Sequence, residues 1–205
     1  MAILYDYWRS SASYRVRIAL GLAELDYDTE VVNLLEGQHR KEPHLARNPQ
    51  GLVPALDIDG YTMTQSLSII QYLDETLKLG LLPNLPIERA QVRALSYAIA
   101  MEIHPVCNLN VVNYAVTQSD GKIEKAQWMH HFIARGLRAY EEMIGDGKYS
   151  YGDTVTLADI CLVPQLYNAE RWSVDLTDMP KIRRVAEALN QIPAFADAHP
   201  DKCVK

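Results

Sequence analysis

The sequence predicts an α/β domain followed by an all-α domain. Strand-like and helix-like patterns alternate over residues 1–80, whereas residues 87–205 show only the helical spacing of apolar side chains. Between them, Gly80, Pro83 and Pro86 give the chain the composition of a linker. A chain of 205 residues is long enough for two modest domains. We therefore expect one domain at 1–80 and a second at 87–205.

The first domain opens with a β-α-β pattern. Residues 2–7 are an apolar strand, residues 11–23 form an amphipathic helix, and residues 27–32 read as a second strand. A helix between two strands of one sheet is a crossover connection, which places those strands parallel. We expect this unit to begin the sheet.

The rest of the first domain reads as a hairpin and a helix. Asp59-Gly60 separates two short apolar runs, and this pair favours a type I′ turn. Thr64-Gln65-Ser66 then starts a helix with a regularly spaced apolar face, formed by Leu67, Ile70, Leu73 and Leu77. The complete order, β-α-β-loop-β-β-α, predicts a thioredoxin-like arrangement.

The second domain contains two long apolar stripes at helical spacing. The first comprises Leu95, Ile99, Ile103 and Val106; the second comprises Ala126, His130, Ile133, Leu137, Tyr140 and Ile144. Pro105 interrupts the first helix and is expected to kink it. Thr156 and Asp159 have the spacing of a capping box at the start of a later helix.

Composition and charge exclude several classes of protein. The 26 acidic and 20 basic residues give a net charge of −6, which disfavours a nucleic-acid partner. No apolar run approaches the ~20 residues needed to cross a membrane. The first residues read as a strand without a basic leader, so we expect no signal peptide. Three widely separated cysteines favour free thiols in the cytoplasm, and their spacing relative to histidine predicts no metal site.

The most informative segment is the start of the first helix. Ser10, Ser11 and Ser13 follow the first strand, and Arg9 and Arg15 flank them. A helix N-terminus presents free N–H groups and a positive dipole end, so it stabilises an anion. The segment lacks the glycines and the lysine of a phosphate loop. A thiolate that accepts a hydrogen bond from a hydroxyl fits it better.

The run Ser-Ser-x-Ser-aromatic-Arg-Val-Arg-Ile-Ala-Leu resembles the motif of zeta-class glutathione transferases, the family that includes maleylacetoacetate isomerases. The α/β-then-α layout matches that family over nearly the whole chain. The resemblance implies a glutathione-dependent isomerase that converts maleylacetoacetate to fumarylacetoacetate in tyrosine and phenylalanine catabolism. It also implies a homodimer, which is consistent with the large apolar surface of the two striped helices.

Within that family, the first domain holds glutathione. The resemblance assigns Ser10 to the sulfur, with Ser11 beside it. It assigns the backbone of Val53, before a cis proline, to the cysteinyl unit. It further assigns Gln65 and Ser66 to the γ-glutamyl carboxylate, and His39 in the polar loop to the glycyl end of the tripeptide.

We expect positively charged side chains of the protein to bind the carboxylates of the dicarboxylate substrate. Arg9 adjoins the thiolate position. Arg171 lies in a segment similar to the family's Glu-Arg-aromatic-x-Val-Asp-Leu-Thr stretch, in which the arginine contacts a substrate carboxylate. An ion pair with Glu170 or Asp175 is the alternative role for Arg171. His104 and Asn108, beside Pro105, are candidates to line the substrate cleft.

Departures from the family pattern leave alternatives open. Ala12 replaces the usual cysteine, which removes a protein thiol and disfavours a glutaredoxin-like role. Tyr5 and Tyr7 lie within the strand, so a tyrosine acting on the sulfur is not expected. A maleylpyruvate isomerase or a haloacid dehalogenase would use the same site, but Leu109-Asn110 lacks the basic residue of the maleylpyruvate branch. A non-enzymatic glutathione-binding module is the remaining alternative.

Overall fold

The computed structural model describes residues 1–204. The strands in chain order are β1 (Ala2–Asp6), β2 (Tyr27–Val31), β3 (Ala55–Ile58) and β4 (Tyr61–Thr64). The α-helices are α1 (Ser11–Leu22), α2 (His44–Arg47), α3 (Ser66–Leu77), α4 (Pro86–Tyr97), α5 (Leu109–Gln118), α6 (Lys125–Met143), α7 (Leu157–Arg171), α8 (Pro180–Asn190) and α9 (Pro193–Asp197). Within this described part of the chain, no helix combines the length and apolarity needed to cross a bilayer.

The strands form one mixed sheet with the order β2-β1-β3-β4. β1 and β2 pair in parallel across the α1 crossover, and the other two pairs are antiparallel. Asp59 and Gly60 join β3 to β4 with φ values of 53° and 81°. Positive φ at both central positions defines the type I′ turn that this pair favours. The thioredoxin-like order expected from the sequence is therefore confirmed.

The chain divides into two compact units. Unit 1 comprises Met1–Gly80 together with the segment from Gln191 onward, and unit 2 comprises Leu81–Asn190. The sequence pattern assigned that last segment to the helical domain. It packs in unit 1 because α9 lies against α1, where the Tyr14 hydroxyl donates to the carbonyl of Phe195 at 3.4 Å.

This packing buries α1 more completely than the sequence predicted. An amphipathic helix was expected, but Ser13 and all residues through Leu20 are buried, including Arg15 and Arg17. Its two neighbours in unit 1 are α3 and the C-terminal α9. At Gly21, an added Cβ would lie 3.2 Å from Ala194, so a glycine allows α9 to approach closely.

In α3 the buried face differs slightly from the predicted one. Ile69, Ile70 and Leu73 are fully buried, whereas Leu77 is 45% exposed. Leu77 is the last helical residue, and Lys78 leaves the helix in the left-handed region with a φ of 56°. The chain turns away there, so the final predicted core residue remains in solvent.

Unit 2 begins with α4, whose predicted stripe is largely confirmed. Leu95, Ile99 and Ile103 are buried. After α4 the chain widens into π-helical turns over Ala98–Ile103, and the His104 amide donates to the Ile99 carbonyl at 3.0 Å. The predicted kink is instead a helix end: the π-helical turns stop at Ile103, His104 still has helical φ and ψ of −58° and −48°, and Pro105 has no N–H to continue the hydrogen bonding.

The other predicted stripe is shifted along α6. Ile133, Leu137, Tyr140 and Ile144 are buried, but Ala126 and His130 are exposed and Met129 takes the core position. At helical spacing, the core residue one turn before Ile133 is either Met129 or His130. Met129 is the apolar one of the two and occupies the core.

The capping box of α7 is confirmed. The Asp159 carboxylate accepts from the amide of Thr156 at 2.7 Å, and the Thr156 side chain interacts with the backbone of Asp159.

Candidate active site

The register of the sheet brings three predicted site segments to one end of unit 1. Tyr5 pairs with Ala55, and Ala55 pairs with Thr64. Tyr7 follows the end of β1 and packs in one buried cluster with Val53, which precedes β3. Beyond Thr64 lie Gln65 and Ser66. Strand pairing thus aligns Tyr5 with Ala55, 50 positions away in the sequence.

Ser10 is the N-cap of α1. It has extended geometry, with φ −71° and ψ 119°, and its Oγ accepts from the Ser13 amide at 3.2 Å. The Ser10 amide donates to the Tyr7 carbonyl at 2.8 Å, which closes the turn after β1. Because Oγ uses a lone pair for the cap, its hydrogen remains available to an anion. Ser11 is the first helical residue and is buried.

Arg17 anchors this turn, a role that the sequence analysis missed. Its guanidinium contacts both oxygens of Asp6 at 2.8 and 2.9 Å, donates to the Trp8 carbonyl at 3.0 Å, and reaches the Ala198 carbonyl at 3.1 Å. Asp6 and Arg17 are each only 3% exposed. The sequence signal that could have revealed this pair is the presence of opposite charges, Asp6 and Arg17, on elements that are otherwise apolar. Charges that become buried require a partner.

The start of α3 is a second anion-binding position. Gln65 has φ 67°, an unusual value for a residue with a Cβ, and its side chain donates to Gln50 at 2.7 Å. Ser66 is buried and begins the helix. Arg15 Nη1 donates to Ser66 Oγ at 3.4 Å, so α1 contributes a buried cation beneath the start of α3. From the sequence, Arg15 was expected only to add positive charge near the serines.

Val53 precedes a cis peptide bond to Pro54, as the resemblance implied. The preceding carbonyl, that of Leu52, accepts from His44 Nε2 at 2.9 Å and from Asn48 Nδ2 at 2.8 Å. These two bonds hold the loop from α2 to β3, and Val53 itself is 8% exposed.

His39 lies in the loop between β2 and α2, with 9% of its surface exposed. Its Nδ1 is buried and has no hydrogen-bond partner in the part of the chain that the structure describes. Burial, Arg40 and His44 lower the pKa of His39 in that order of influence, so the ring is neutral at neutral pH. At Gly51, an added Cβ would lie 3.0 Å from the His39 carbonyl, so this glycine helps the loop to pack.

The remaining candidates lie in unit 2. His104 and Asn108 are half-buried and flank Pro105, and Asn108 caps α5 by accepting from the Asn110 amide at 3.0 Å.

Arg171 is exposed at the end of α7, where it donates to Asn168 at 3.4 Å. Asp175, its possible ion-pair partner, accepts from the amide and hydroxyl of Thr177 at 2.8 and 2.6 Å. Within residues 1–204, no group of three or more His, Cys, Asp or Glu side chains could hold a metal ion.

The thiols differ in accessibility. Burial raises the pKa of Cys107 to about 11, Cys161 is fully buried, and Cys203 is partly exposed. Because the thiolate is the reactive species, we expect Cys203 to react first with a chromogenic disulfide reagent at mildly alkaline pH, and the other two only after unfolding. Cys203→Ser should abolish the fast phase. A fast phase that survived this substitution would contradict the burial of Cys107 and Cys161.

A thioredoxin-like unit with two helix starts aimed at one end of the sheet, joined to a helical unit, is the architecture of glutathione transferases. The family models for the N-terminal and C-terminal domains of glutathione S-transferase match residues 4–78 and 132–190. The chain is 55% identical to a maleylacetoacetate isomerase of Rhizobium meliloti over 205 residues, which covers 98% of this chain and 96% of the relative. The chain belongs to the maleylacetoacetate isomerase family of glutathione transferases.

Two solved structures are similar over almost their whole length. One is a bacterial zeta-class maleylpyruvate isomerase, with a TM-score of 0.93, 40% identity and coverage of 98% of this chain and 97% of the other. The second is a maleylacetoacetate isomerase of Anaeromyxobacter dehalogenans with dicarboxyethyl glutathione and citrate in its active site. Its TM-score is 0.87 and its identity 41%, with coverage of 98% and 95%.

Proposed function

We propose that this chain is a glutathione-dependent isomerase that converts maleylacetoacetate to fumarylacetoacetate. The observation that carries the proposal is the sheet register, which brings the end of β1, the start of β3 and the end of β4 to one end of the sheet in unit 1; Ser10, Val53 and Ser66 lie next to these strand ends in the sequence. It is supported by the 55% identity to a maleylacetoacetate isomerase over nearly the whole chain.

The groups at this end of the sheet fit glutathione, whose ends carry carboxylates and whose thiol ionises. The donors are two helix N-termini, the Ser10 and Ser66 hydroxyls and the Arg15 guanidinium. Neither helix start carries an acidic residue in its first turn. A set composed of donors and positive charge favours an anionic ligand.

Each part of the tripeptide then has an assigned partner in the domain at 1–80. Ser10 and Ser11 hold the sulfur at the start of α1. The backbone of Val53 pairs with the cysteinyl unit. Gln65 and Ser66 receive the γ-glutamyl carboxylate, and His39 meets the glycyl end as a neutral ring, for which its buried Nδ1 is available.

When held by Ser10, Val53, Gln65 and Ser66, glutathione would supply a thiolate able to add reversibly to the cis double bond, which would allow rotation about the resulting single bond. Ser10 donates a hydrogen bond that keeps the sulfur ionised at neutral pH, and the α1 dipole adds to this stabilisation. Arg9 and Arg171 hold the substrate carboxylates, and Arg9 also stabilises the negative charge that develops on the enolate oxygen. His104 and Asn108 line the part of the site that holds the substrate.

Maleylpyruvate is the second candidate substrate. A maleylpyruvate isomerase gives a TM-score of 0.93 with this chain. Leu109 and Asn110 stand where we expect that branch to carry a basic residue, so we favour maleylacetoacetate. Haloacid dehalogenation and glutathione conjugation would use the same sulfur site. Assays of both cis-enedione acids, with and without glutathione, test the proposal; glutathione binding without turnover of either would indicate a non-enzymatic module.

Glutathione is expected to raise the melting temperature, because a ligand that binds only the folded state stabilises that state. At about 100 times its Kd the gain is about 2.7 kcal/mol. Ser66→Ala should weaken the response while largely sparing turnover at saturating glutathione. Calorimetric titration measures the same affinity directly. A flat titration together with an unchanged melting temperature would contradict the glutathione site.

We also propose a homodimer, although its basis differs from the one the sequence suggested. Leu95, Ile99 and Ile103 are buried within unit 2. Large apolar side chains are instead exposed elsewhere, among them Tyr61, Met101, Leu109, Val111 and Tyr114. Association of two copies would cover such side chains. Light scattering should give twice the 23.2 kDa chain mass at micromolar concentration, and a single-chain mass would contradict the dimer.

The proposed location is the cytoplasm, and the proposed role is in tyrosine and phenylalanine catabolism. The cysteines at 107, 161 and 203 are free thiols, which suits a reducing compartment.

A further inference from the structure

The side chain of Arg9 is held by the two aromatic residues that precede it. Arg9 Nη2 donates to the Tyr7 hydroxyl at 3.1 Å. Its Cζ lies 4.7 Å from the centre of the Trp8 ring and 5.9 Å from that of the Tyr7 ring. Guanidinium groups at these distances are attracted to aromatic faces. One hydrogen bond and two rings therefore restrict a side chain that would otherwise sample many rotamers.

The aromatic residues are themselves fixed. Tyr7 is 7% exposed and belongs to a buried cluster with Val53 and Ala55, against which Trp8 also packs. The Tyr7 carbonyl accepts from the Ser10 amide, and the Trp8 carbonyl accepts from buried Arg17. The support for Arg9 is thus built from the same turn that presents Ser10.

The arrangement leaves the charge of Arg9 available to a ligand. The Tyr7 hydroxyl oxygen accepts the hydrogen bond from Arg9, and Arg9 takes part in none of the ion pairs formed within residues 1–204. A guanidinium held by a phenol and two rings keeps its full charge and retains donors for a carboxylate. Ser10, the proposed sulfur ligand, is the next residue along the chain.

We propose that Tyr7 is a positioning residue for the substrate: its hydroxyl and ring hold the Arg9 guanidinium where a carboxylate of the dicarboxylate acceptor binds. The inference rests on the proposed function. Tyr7 acts through Arg9 and does not act on the sulfur. Preorganisation of Arg9 lowers the entropy lost on binding the acceptor, so its signature is a change in acceptor affinity.

Tyr7→Phe removes the hydroxyl and keeps the buried ring. We expect it to raise KM for maleylacetoacetate by about 3- to 10-fold, the size of one lost hydrogen bond. KM for glutathione and kcat/KM for a neutral chlorinated nitrobenzene should stay unchanged. Tyr5→Phe is the matched control, because Tyr5 lies two residues before Tyr7 in the same buried cluster but donates its hydroxyl to Asp57 at 2.8 Å. It should leave all three values unchanged.

A double-substitution cycle tests whether Tyr7 acts through Arg9. In an Arg9→Ala background, Tyr7→Phe should cause no further rise in KM for the dicarboxylate. A rise that persists there, an equal rise for the neutral acceptor, or no rise in the single variant would each overturn the proposal. If Tyr7→Phe does not fold, Tyr7→Met, which is also apolar and lacks the hydroxyl, replaces it.

The same comparison can be made without turnover. Calorimetric titration of malonate into the glutathione-saturated protein reports the carboxylate affinity of wild type, Tyr7→Phe and Arg9→Ala. If wild type lacks isomerase activity, the proposed reaction fails, yet weaker malonate binding by both variants would still support the role of Tyr7. If Arg9→Ala alone weakens binding, only the role of Tyr7 is overturned. If neither variant does, Arg9 is not a carboxylate ligand and the positioning proposal falls with it.

Discussion

Ser10→Ala is expected to lower turnover by about 10²-fold, the effect of removing one donor from a developing or stabilised anion. Glutathione affinity should change little, because Val53, Gln65 and Ser66 hold the rest of the tripeptide. The variant should also shift the pH dependence of turnover to higher pH, because the thiol loses a donor that favours its ionised form. Steady-state kinetics across pH, with calorimetry for glutathione, measure both effects.

The N-cap role of Ser10 needs a separate control. Its Oγ accepts from the Ser13 amide at 3.2 Å, so alanine also removes a cap worth about 1 kcal/mol. Thr156→Ala removes a cap from α7 and should lower the melting temperature without changing turnover per folded molecule. If Ser10→Ala retained full activity and Ser11→Ala lost it, the assignment of the two serines would be reversed.

Arg171→Ala is expected to raise KM for the dicarboxylate by about 10- to 100-fold, which corresponds to the loss of a hydrogen bond between charged groups. Glutathione affinity should hardly change, because its proposed ligands all lie in unit 1. Arg171→Lys should recover part of the loss, since an ammonium group cannot make the forked contact of a guanidinium. Initial-rate measurements over a range of acceptor concentrations give these values.

A neutral acceptor distinguishes substrate binding from a structural role for Arg171. Turnover of a chlorinated nitrobenzene should be insensitive to Arg171→Ala. Equal losses for charged and neutral acceptors would mean that Arg171 supports the end of α7. In the structure the Asp175 carboxylate accepts from the Thr177 hydroxyl and amide, and these hydrogen bonds lower the pKa of that carboxyl group.

Local patterns predicted the elements of unit 1 because each depends on neighbouring residues. Asp59-Gly60 adopts positive φ wherever it occurs in a tight hairpin, and Ser10 caps a helix through the amide three residues later. The helix starts at Ser10 and at Gln65-Ser66 were found in the same way, whereas the roles of these residues toward glutathione came from the family resemblance. Val53 and Arg171 could be named only through the family resemblance, because neither carries a local chemical signal.

Other features could not be predicted from local patterns alone. The α6 stripe was placed with Ala126 and His130 inside, but both are exposed, since periodicity alone leaves the register uncertain by one residue. Tyr7 was dismissed because it lies in a strand. Its contact with Arg9 arises only when the turn to α1 folds back, which no spacing rule describes.

The sequence by itself determined the β-α-β unit, the hairpin, the capped helix starts, the helical character of the second domain and the family. The tertiary structure decided that the segment after Gln191 packs with unit 1, that α1 is buried on all sides, and that Arg17 pairs with Asp6. The physical reason is how far apart in the sequence the interacting residues lie. Caps, turns and periodicity are set by interactions over a few residues, whereas burial and charge pairing depend on which distant surfaces meet.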